Sequence, residues 1–208
     1  MIKIFNLEQI NHSPNFIGSW IIDNNLCDEL IDHFEDNQAK LQQGVLGSSA
    51  SIDLTKKDRT DLYIAPKDIN LPANKIFKIY FDTLFKCYKD YCDKWPYLKI
   101  IASHLEIPSF NIGRYKPGQH FSSVHCERTG LGSLHRLFAF MTYLNNVEEG
   151  GTTFFDNYNL EIKPEKGLTL IWPAEWTHTH RANKVINGTK YMITGHLCFA
   201  CDETKTTL

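Results

Sequence analysis

From Lys99 onward the chain breaks into short runs rich in β-branched and aromatic residues, each closed by a turn signal. No other feature constrains the fold as much. The runs are Lys99–His104, Ser109–Tyr115, Leu137–Leu144, Thr152–Phe155, Leu168–Trp172, Thr177–Arg181 and Lys190–Phe199. Lys116-Pro-Gly, Glu149-Gly-Gly, Pro164-Glu-Lys-Gly and Ile186-Asn-Gly supply turns between them. Many short strands in succession predict a sandwich or jelly roll.

The first third reads helical instead. Asn25 is placed to cap a helix whose apolar stripe, Leu26, Leu30, Ile31 and Phe34, falls on one face, with Asp28 in the first turn. Gln42 to Ala50 reads as a loop. A second helix is predicted from about Pro72 to Trp95, with Ile76, Tyr80, Leu84, Tyr88 and Tyr91 at helical spacing and Pro96 as its stop. Two helices ahead of a strand series would cover one outer face of a sheet. The expected fold class is α+β, mostly β. A single domain is expected over 1–208, with 1–97 as helical support and 98–201 as the β core that carries the site.

Composition narrows the function. The 22 Lys and Arg nearly balance the 24 Asp and Glu, so the net charge of −2 gives no broad attraction to nucleic acid or anionic membrane. No run of 18 apolar residues exists, and Met1 to Gln9 meets polar residues too soon for a signal peptide. Cys27, Cys87, Cys92, Cys126, Cys198 and Cys201 are expected to be reduced, idle thiols in a cytoplasmic protein. A four-thiolate zinc site from Cys87, Cys92, Cys198 and Cys201 is disfavoured because neither pair sits in a knuckle-like turn.

Histidine points to the chemistry. Seven of the nine lie between His104 and His196. On a strand, His125 and Glu127 would face one point and Cys126 would face away. In Trp176-Thr-His178-Thr-His180-Arg181, His178 and His180 would likewise share a face. Either one would complete a two-His, one-carboxylate set, which suits non-haem Fe(II) and leaves open positions. For any single His an ordinary hydrogen-bonded role is commoner; the set carries the reading. Lys190 begins an apolar strand, an unusual place unless its ammonium meets a bound carboxylate.

These stretches resemble a family. From Asn111 to Phe199 the sequence is similar to the Fe(II)- and 2-oxoglutarate-dependent oxygenases of prolyl 4-hydroxylase type. The resemblance rests on Arg114-Tyr-Lys-Pro-Gly118, Tyr143-Leu-Asn-Asn, Glu149-Gly-Gly-Thr-Thr-Phe-Phe155, Pro164-Glu-Lys-Gly167 and His180 through Gly195. Phe16 to Phe34 looks like the helical lead-in of such proteins. The resemblance implies a double-stranded β-helix, a jelly-roll variant, with helices packed on one sheet. It implies His125, Glu127 and His180 as iron ligands, and Lys190 and Tyr143 on the distal carboxylate of 2-oxoglutarate. Tyr115 would lie near that cosubstrate. The family's spacing to Lys190 favours His180 over His178. The implied activity is C–H hydroxylation of a peptide, protein or small molecule with release of succinate and CO2, ascorbate being a candidate reductant. The family's usual pair is His-x-Asp, whereas here it is His125-x-Glu127 with one more methylene.

Two other classes are weighed. An inactive jelly-roll binding module would keep the fold without reason to keep both His, the carboxylate and Lys190. A zinc hydrolase would want a separate base and commonly a His-Glu-x-x-His helix, which the sequence lacks. Arg114, Arg128, Arg136 and Arg181 are candidates for the site mouth. The substrate and the oligomeric state are not legible.

Overall fold

The computed structural model describes residues 15–47 and 50–200. The opening Met1 to Gln9 and Cys201 lie outside the described residues. In chain order the elements begin with β1 (Gly18–Ile21), α1 (Asn24–Asp36), β2 (Gln42–Gln43), β3 (Lys57–Asp58), β4 (Thr60–Ile64), α2 (Lys75–Lys94) and α3 (Leu98–Ile101). The next are β5 (Leu105–Glu106), β6 (Phe110–Tyr115), β7 (His120–His125), β8 (Arg136–Tyr143) and β9 (Glu149–Gly150). The series closes with β10 (Thr153–Phe155), β11 (Leu160–Ile162), β12 (Leu168–Pro173), β13 (His180–Ala182), β14 (Val185–Asn187) and β15 (Lys190–Phe199).

Two antiparallel sheets face one another. The major sheet has the order β1-β12-β8-β15-β6-β4-β2, with β5 also paired to β15. The minor sheet runs β11-β10-β13-β7-β3, and β14 pairs with β9 in a small ribbon. Neither sheet closes on itself. This is the mostly-β, helix-covered jelly-roll arrangement expected.

The helices cover the outer face of the major sheet. In α2 the buried residues Phe77, Tyr80, Phe81, Leu84, Tyr88 and Tyr91 repeat at helical spacing. Phe77 and Phe81 each meet the Phe110 ring edge-on at 4.9 Å, and Tyr91 meets Phe138 at 5.3 Å. Pro72 opens a 3₁₀ turn ahead of α2, which ends at Lys94, just before Pro96. In α1 the cap is Asp23 rather than Asn25. Its carboxylate accepts from the amides of Asn25 (2.7 Å) and Leu26 (3.2 Å), which leaves Asp28 beyond the first turn.

Three further expectations need correction. The stretch 1–97 is not purely helical: β1 pairs with β12, β4 with β6 and β3 with β7. The charges in Lys57-Asp-Arg-Thr-Asp61 masked β3 and β4, because Arg59 and Asp61 are buried as an ion pair, Nε to Oδ1 2.7 Å. Lys99–His104 is not a strand. Pro96 leads into the helical turn α3, where Ile100 and Ile101 point to solvent. The loop of Gln42–Ala50 holds apart from β2 and a bridge between Leu46 and Ser51.

Alternation in the major sheet splits the interior into two cores. Phe138, Phe140, Ile193 and Leu197 face the helices. Ala139, Met141, Tyr143 and Met192 face the minor sheet. At Gly195 a Cβ would lie 2.7 Å from the Phe140 ring and 2.9 Å from Phe110 Cβ, so only glycine lets those aromatics close over the strand. Among the described residues no helix is long and apolar enough to cross a membrane. Cys27, Cys87, Cys92 and Cys198 are buried free thiols. Burial raises Cys27, Cys87 and Cys198 to about 11, which keeps them protonated and inert.

Candidate active site

A cavity of about 380 Å³ lies between the sheets, and its walls include His125, Glu127, His180 and His196. His125 ends β7 directly opposite His180, which opens β13. The ladder alone therefore sets the two imidazoles side by side, with ring centroids 4.4 Å apart. Phe121 stacks on His125 at 4.0 Å, and Phe155 and Trp172 flank His180 at 5.4 and 5.1 Å. These rings fix the imidazoles and exclude water from behind them.

Each imidazole is oriented by the backbone. His125 Nδ1 is 2.9 Å from the Ser123 carbonyl and His180 Nδ1 is 3.0 Å from the His178 carbonyl. A carbonyl oxygen only accepts, so both Nδ1 atoms carry the proton and both Nε2 atoms present lone pairs. Burial, and next the neighbouring His180, push His125 down to about 4, so it is neutral near pH 7.

Glu127 stands in the bend after β7, not on the strand, so the two-residue alternation did not bring it to His125. Arg136 does part of that, its Nη1 donating to the Glu127 carbonyl at 2.9 Å. Glu127 Oε1 then lies 3.8 Å from His125 Nε2 and 3.5 Å from His180 Nε2. Cis ligands at about 2.1 Å from a common ion lie about 3 Å apart, so the three atoms need close only slightly on a metal. Among the described residues this is the group whose donor atoms can meet at one ion. Burial alone would raise the Glu127 carboxyl. The hydrogen bond from His196 opposes that and holds it well below the carboxylate range.

His178 does not share the His180 face. It sits in the 3₁₀ turn Trp176–His178, where its ring reaches the Asn15 carbonyl at 2.7 Å and the Thr177 hydroxyl at 2.9 Å. The expected strand Thr177–Arg181 begins only at His180, because Trp176 to His178 turn to reach the chain's first described residues.

The other predicted residues gather at one end of the same interior. Lys190, on β15, is opposite Tyr115 on β6 and fully buried. Its ammonium donates to the Gly151 carbonyl at 2.8 Å and lies 4.1 Å from the Tyr115 ring centroid. Burial, then the Arg59 charge, lower it to about 7. Gly151 has a left-handed φ of 66° and a Cβ there would meet Val185 at 3.1 Å, so the Gly-Gly turn also brings a carbonyl to Lys190. The Tyr143 hydroxyl donates to Thr153 Oγ1 at 2.6 Å, and burial raises its pKa so that it stays a donor. Tyr115 lines the cavity, while Lys190 and Tyr143 sit just behind its wall.

Of the four arginines, only Arg136 lines the cavity. Arg114 pairs with Glu35, Arg128 with Glu175, and Arg181 with Asp156. The sequence reading missed three cavity residues. Lys57 and Arg59 are buried cations on the wall, Arg59 Nη1 donating to the Tyr115 hydroxyl at 3.0 Å. His196 donates through Nε2 to Glu127 Oε2 at 2.7 Å. The one available signal for His196 was its place three even steps along β15 from Lys190, on the same face.

Comparison with known proteins bears on sequence and fold. Residues 110–198 match the 2OG-Fe(II) oxygenase superfamily. Probable prolyl 4-hydroxylase 9 of Arabidopsis thaliana is 32% identical over 121 residues, covering 46% of this chain and 41% of its own. The chain spans less than half the length of the curated relatives it first matches. In fold it is similar to the viral collagen prolyl hydroxylase of Paramecium Bursaria Chlorella virus-1, solved as a 2OG complex. That likeness has a TM-score of 0.64 at 18% identity and covers 89% of this chain and 97% of that one. It is also similar to a Trichoplax adhaerens prolyl hydroxylase solved with a hypoxia inducible factor peptide fragment. There the TM-score is 0.66 at 15% identity, over 87% and 83% of the two chains. Residues 110–198 thus match the 2OG-Fe(II) oxygenase superfamily, and the chain is similar in sequence to prolyl 4-hydroxylases and in fold to prolyl hydroxylases.

Proposed function

We propose that this chain is an Fe(II)- and 2-oxoglutarate-dependent dioxygenase that hydroxylates prolyl residues of a peptide substrate. The observation that carries the reading is the pair of backbone-oriented imidazoles whose Nε2 atoms converge with one oxygen of Glu127 on a single point of the cavity. Two neutral nitrogens and one carboxylate oxygen fit Fe(II) and leave three positions open. When bound, Fe(II) and 2-oxoglutarate would supply oxidative chemistry with dioxygen as co-reactant, one oxygen atom ending in succinate as CO2 leaves and the other in the hydroxyl formed at a C–H bond.

The chain's own residues do the rest. His125, Glu127 and His180 hold the metal, and Ser123 and His178 hold the imidazoles through their carbonyls. Lys190 and Tyr143 offer an ammonium and a hydroxyl to the distal carboxylate of 2-oxoglutarate, and Tyr115, itself tied to Arg59, lines its space. For Lys190 this means trading a neutral carbonyl acceptor for a charged one, the stronger partnership. A peptide as substrate is supported by the likeness to prolyl hydroxylases, one of them solved with a peptide fragment. The absence of disulfides among the described cysteines supports a cytoplasmic setting.

The test is succinate release with Fe(II), 2-oxoglutarate and ascorbate against a pool of proline-containing peptides, with mass spectrometry of the peptides. A peptide that gains one oxygen atom, with matching succinate, is the expected result. Failure to bind 2-oxoglutarate with Mn(II) present would leave the inactive binding module as the reading.

A further inference from the structure

The carboxylate here is a Glu, and a Glu can offer a metal one oxygen or two. Its two oxygens stand in different places. Oε1 faces both Nε2 atoms, at 3.8 and 3.5 Å, while Oε2 is 2.7 Å from His196 Nε2. His196 is not free to follow the carboxylate. It lies inside β15, in register with Ala139 of β8, and the ladder fixes its backbone. On the other side, Arg136 pins the Glu127 peptide carbonyl at 2.9 Å. The side chain is therefore held at both ends, with one oxygen already spent.

We propose that His196 is a positioning residue that makes Glu127 a one-oxygen ligand and so keeps a coordination position open for the cosubstrate. The inference rests on the oxygenase reading above. To chelate through both oxygens, Glu127 would have to turn Oε2 away from His196 and give up a charge-assisted hydrogen bond inside the protein. Without that bond nothing described in the structure holds Oε2 back, and the extra methylene of Glu supplies the freedom to swing. A second oxygen on the metal would take a place that the 2-oxo acid needs.

The experiment uses Mn(II) as a redox-quiet probe and needs no turnover. Parent, His196→Ala and His196→Gln proteins are titrated with Mn(II), then with 2-oxoglutarate, by calorimetry. The Gln amide is a donor of similar reach. Metal-minus-apo infrared difference spectra of the three proteins, with Glu carbon-13 labelled, report the splitting of the carboxylate stretches. In His196→Ala, Mn(II) affinity is expected to stay within about threefold, while 2-oxoglutarate affinity falls tenfold or more, at the lower edge of what outer partners of a metal site command. The carboxylate splitting should narrow from a one-oxygen to a two-oxygen value, and His196→Gln should restore both readouts. Equal 2-oxoglutarate affinity in parent, Ala and Gln proteins, or an unchanged splitting in His196→Ala, would overturn the role of His196 alone. A parallel loss of metal and cosubstrate in His196→Ala would also overturn it, because a general loosening of the site gives that result. A parent protein that takes no Mn(II) would overturn the oxygenase reading and this inference with it.

Discussion

The major sheet has two unlike faces, and β15 contributes to both. Its residues Tyr191, Ile193 and Leu197 turn toward α1 and α2, into a core of Phe34, Phe77, Tyr80 and Phe140. Its residues Lys190, Met192, Thr194 and His196 turn toward the minor sheet, where a cation, hydroxyls and imidazoles surround a cavity. The helix face is ordinary apolar packing, and each ring there adds stability. The cavity face buries a Lys with a single carbonyl partner and an acid among histidines, which a chain seeking only stability would avoid. One strand thus carries the apolar packing on one side and the candidate site on the other.

That division can be broken by mutation, and the outcomes differ in kind. The largest effect is expected on the helix face. Phe77→Ala should cost about 3–5 kcal/mol of stability, as deletion of a fully buried ring does, read by denaturant unfolding. The molecules still folded should bind metal as before. Loss of Mn(II) affinity beyond the loss of folded protein would mean the two faces are not independent.

Next come the proposed metal donors. His180→Ala should lower Mn(II) affinity by more than the roughly 100-fold that outer partners command, about 3 kcal/mol, with metal-free stability little changed. Anaerobic titration and chemical unfolding of the same samples check both halves.

Lys190→Met should weaken 2-oxoglutarate binding by more than tenfold, about 2 kcal/mol, and leave Mn(II) affinity alone. It carries a pH signature too. The Lys190 pKa is lowered from 10.5 to about 7, so above about pH 7 the unfolded chain holds a proton that the folded one has released. The burial cost is full below pH 7 and shrinks as pH rises toward 10.5, so this group makes stability climb with pH through that window. The methionine variant should lack that part of the climb. A parent and variant with identical stability-versus-pH curves would show that Lys190 is not held as the geometry requires.

Smaller effects follow on the same face. Tyr143→Phe removes one neutral donor and should cost about 1 kcal/mol in 2-oxoglutarate affinity. His178→Ala should leave Mn(II) affinity unchanged, since the ring is turned to Asn15 and Thr177. If it abolishes metal binding, the donor set is misassigned.

The helix face was nearly all legible in the sequence, because a helical stripe such as Tyr80, Leu84, Tyr88 and Tyr91 is a local pattern. Most of the longer strands of the second half were legible for the same reason, but β7, β11 and β14 were not among the runs, Thr177–Arg181 becomes a strand only at His180, and Lys99–His104 proved to be an exposed helical turn. What escaped were features made by distant partners. Lys57 and Arg59 drew no reading from the sequence because Asp61, Tyr115 and the cavity are brought to them only by the fold. His125 and Glu127 do come together, but a bend and Arg136 rather than strand alternation aim the carboxylate. His196, 69 positions from Glu127, was marked only by its even spacing from Lys190 along β15.

Gly195 bears on how such a protein can be altered. Its missing side chain is the slot into which Phe110 and Phe140 settle from the helix side, and its chain neighbours Thr194 and His196 belong to the cavity. It is a mechanical junction. Most helix-face positions can be repacked by an engineer with the cavity untouched, because a whole layer of sheet lies between. Any residue larger than glycine at 195 must lift two aromatic rings or bend the strand, and a bent strand carries His196 away from Glu127. A library meant to stabilise this scaffold should hold residue 195 constant, and a single alanine there is the cheapest way to tune the cavity from behind.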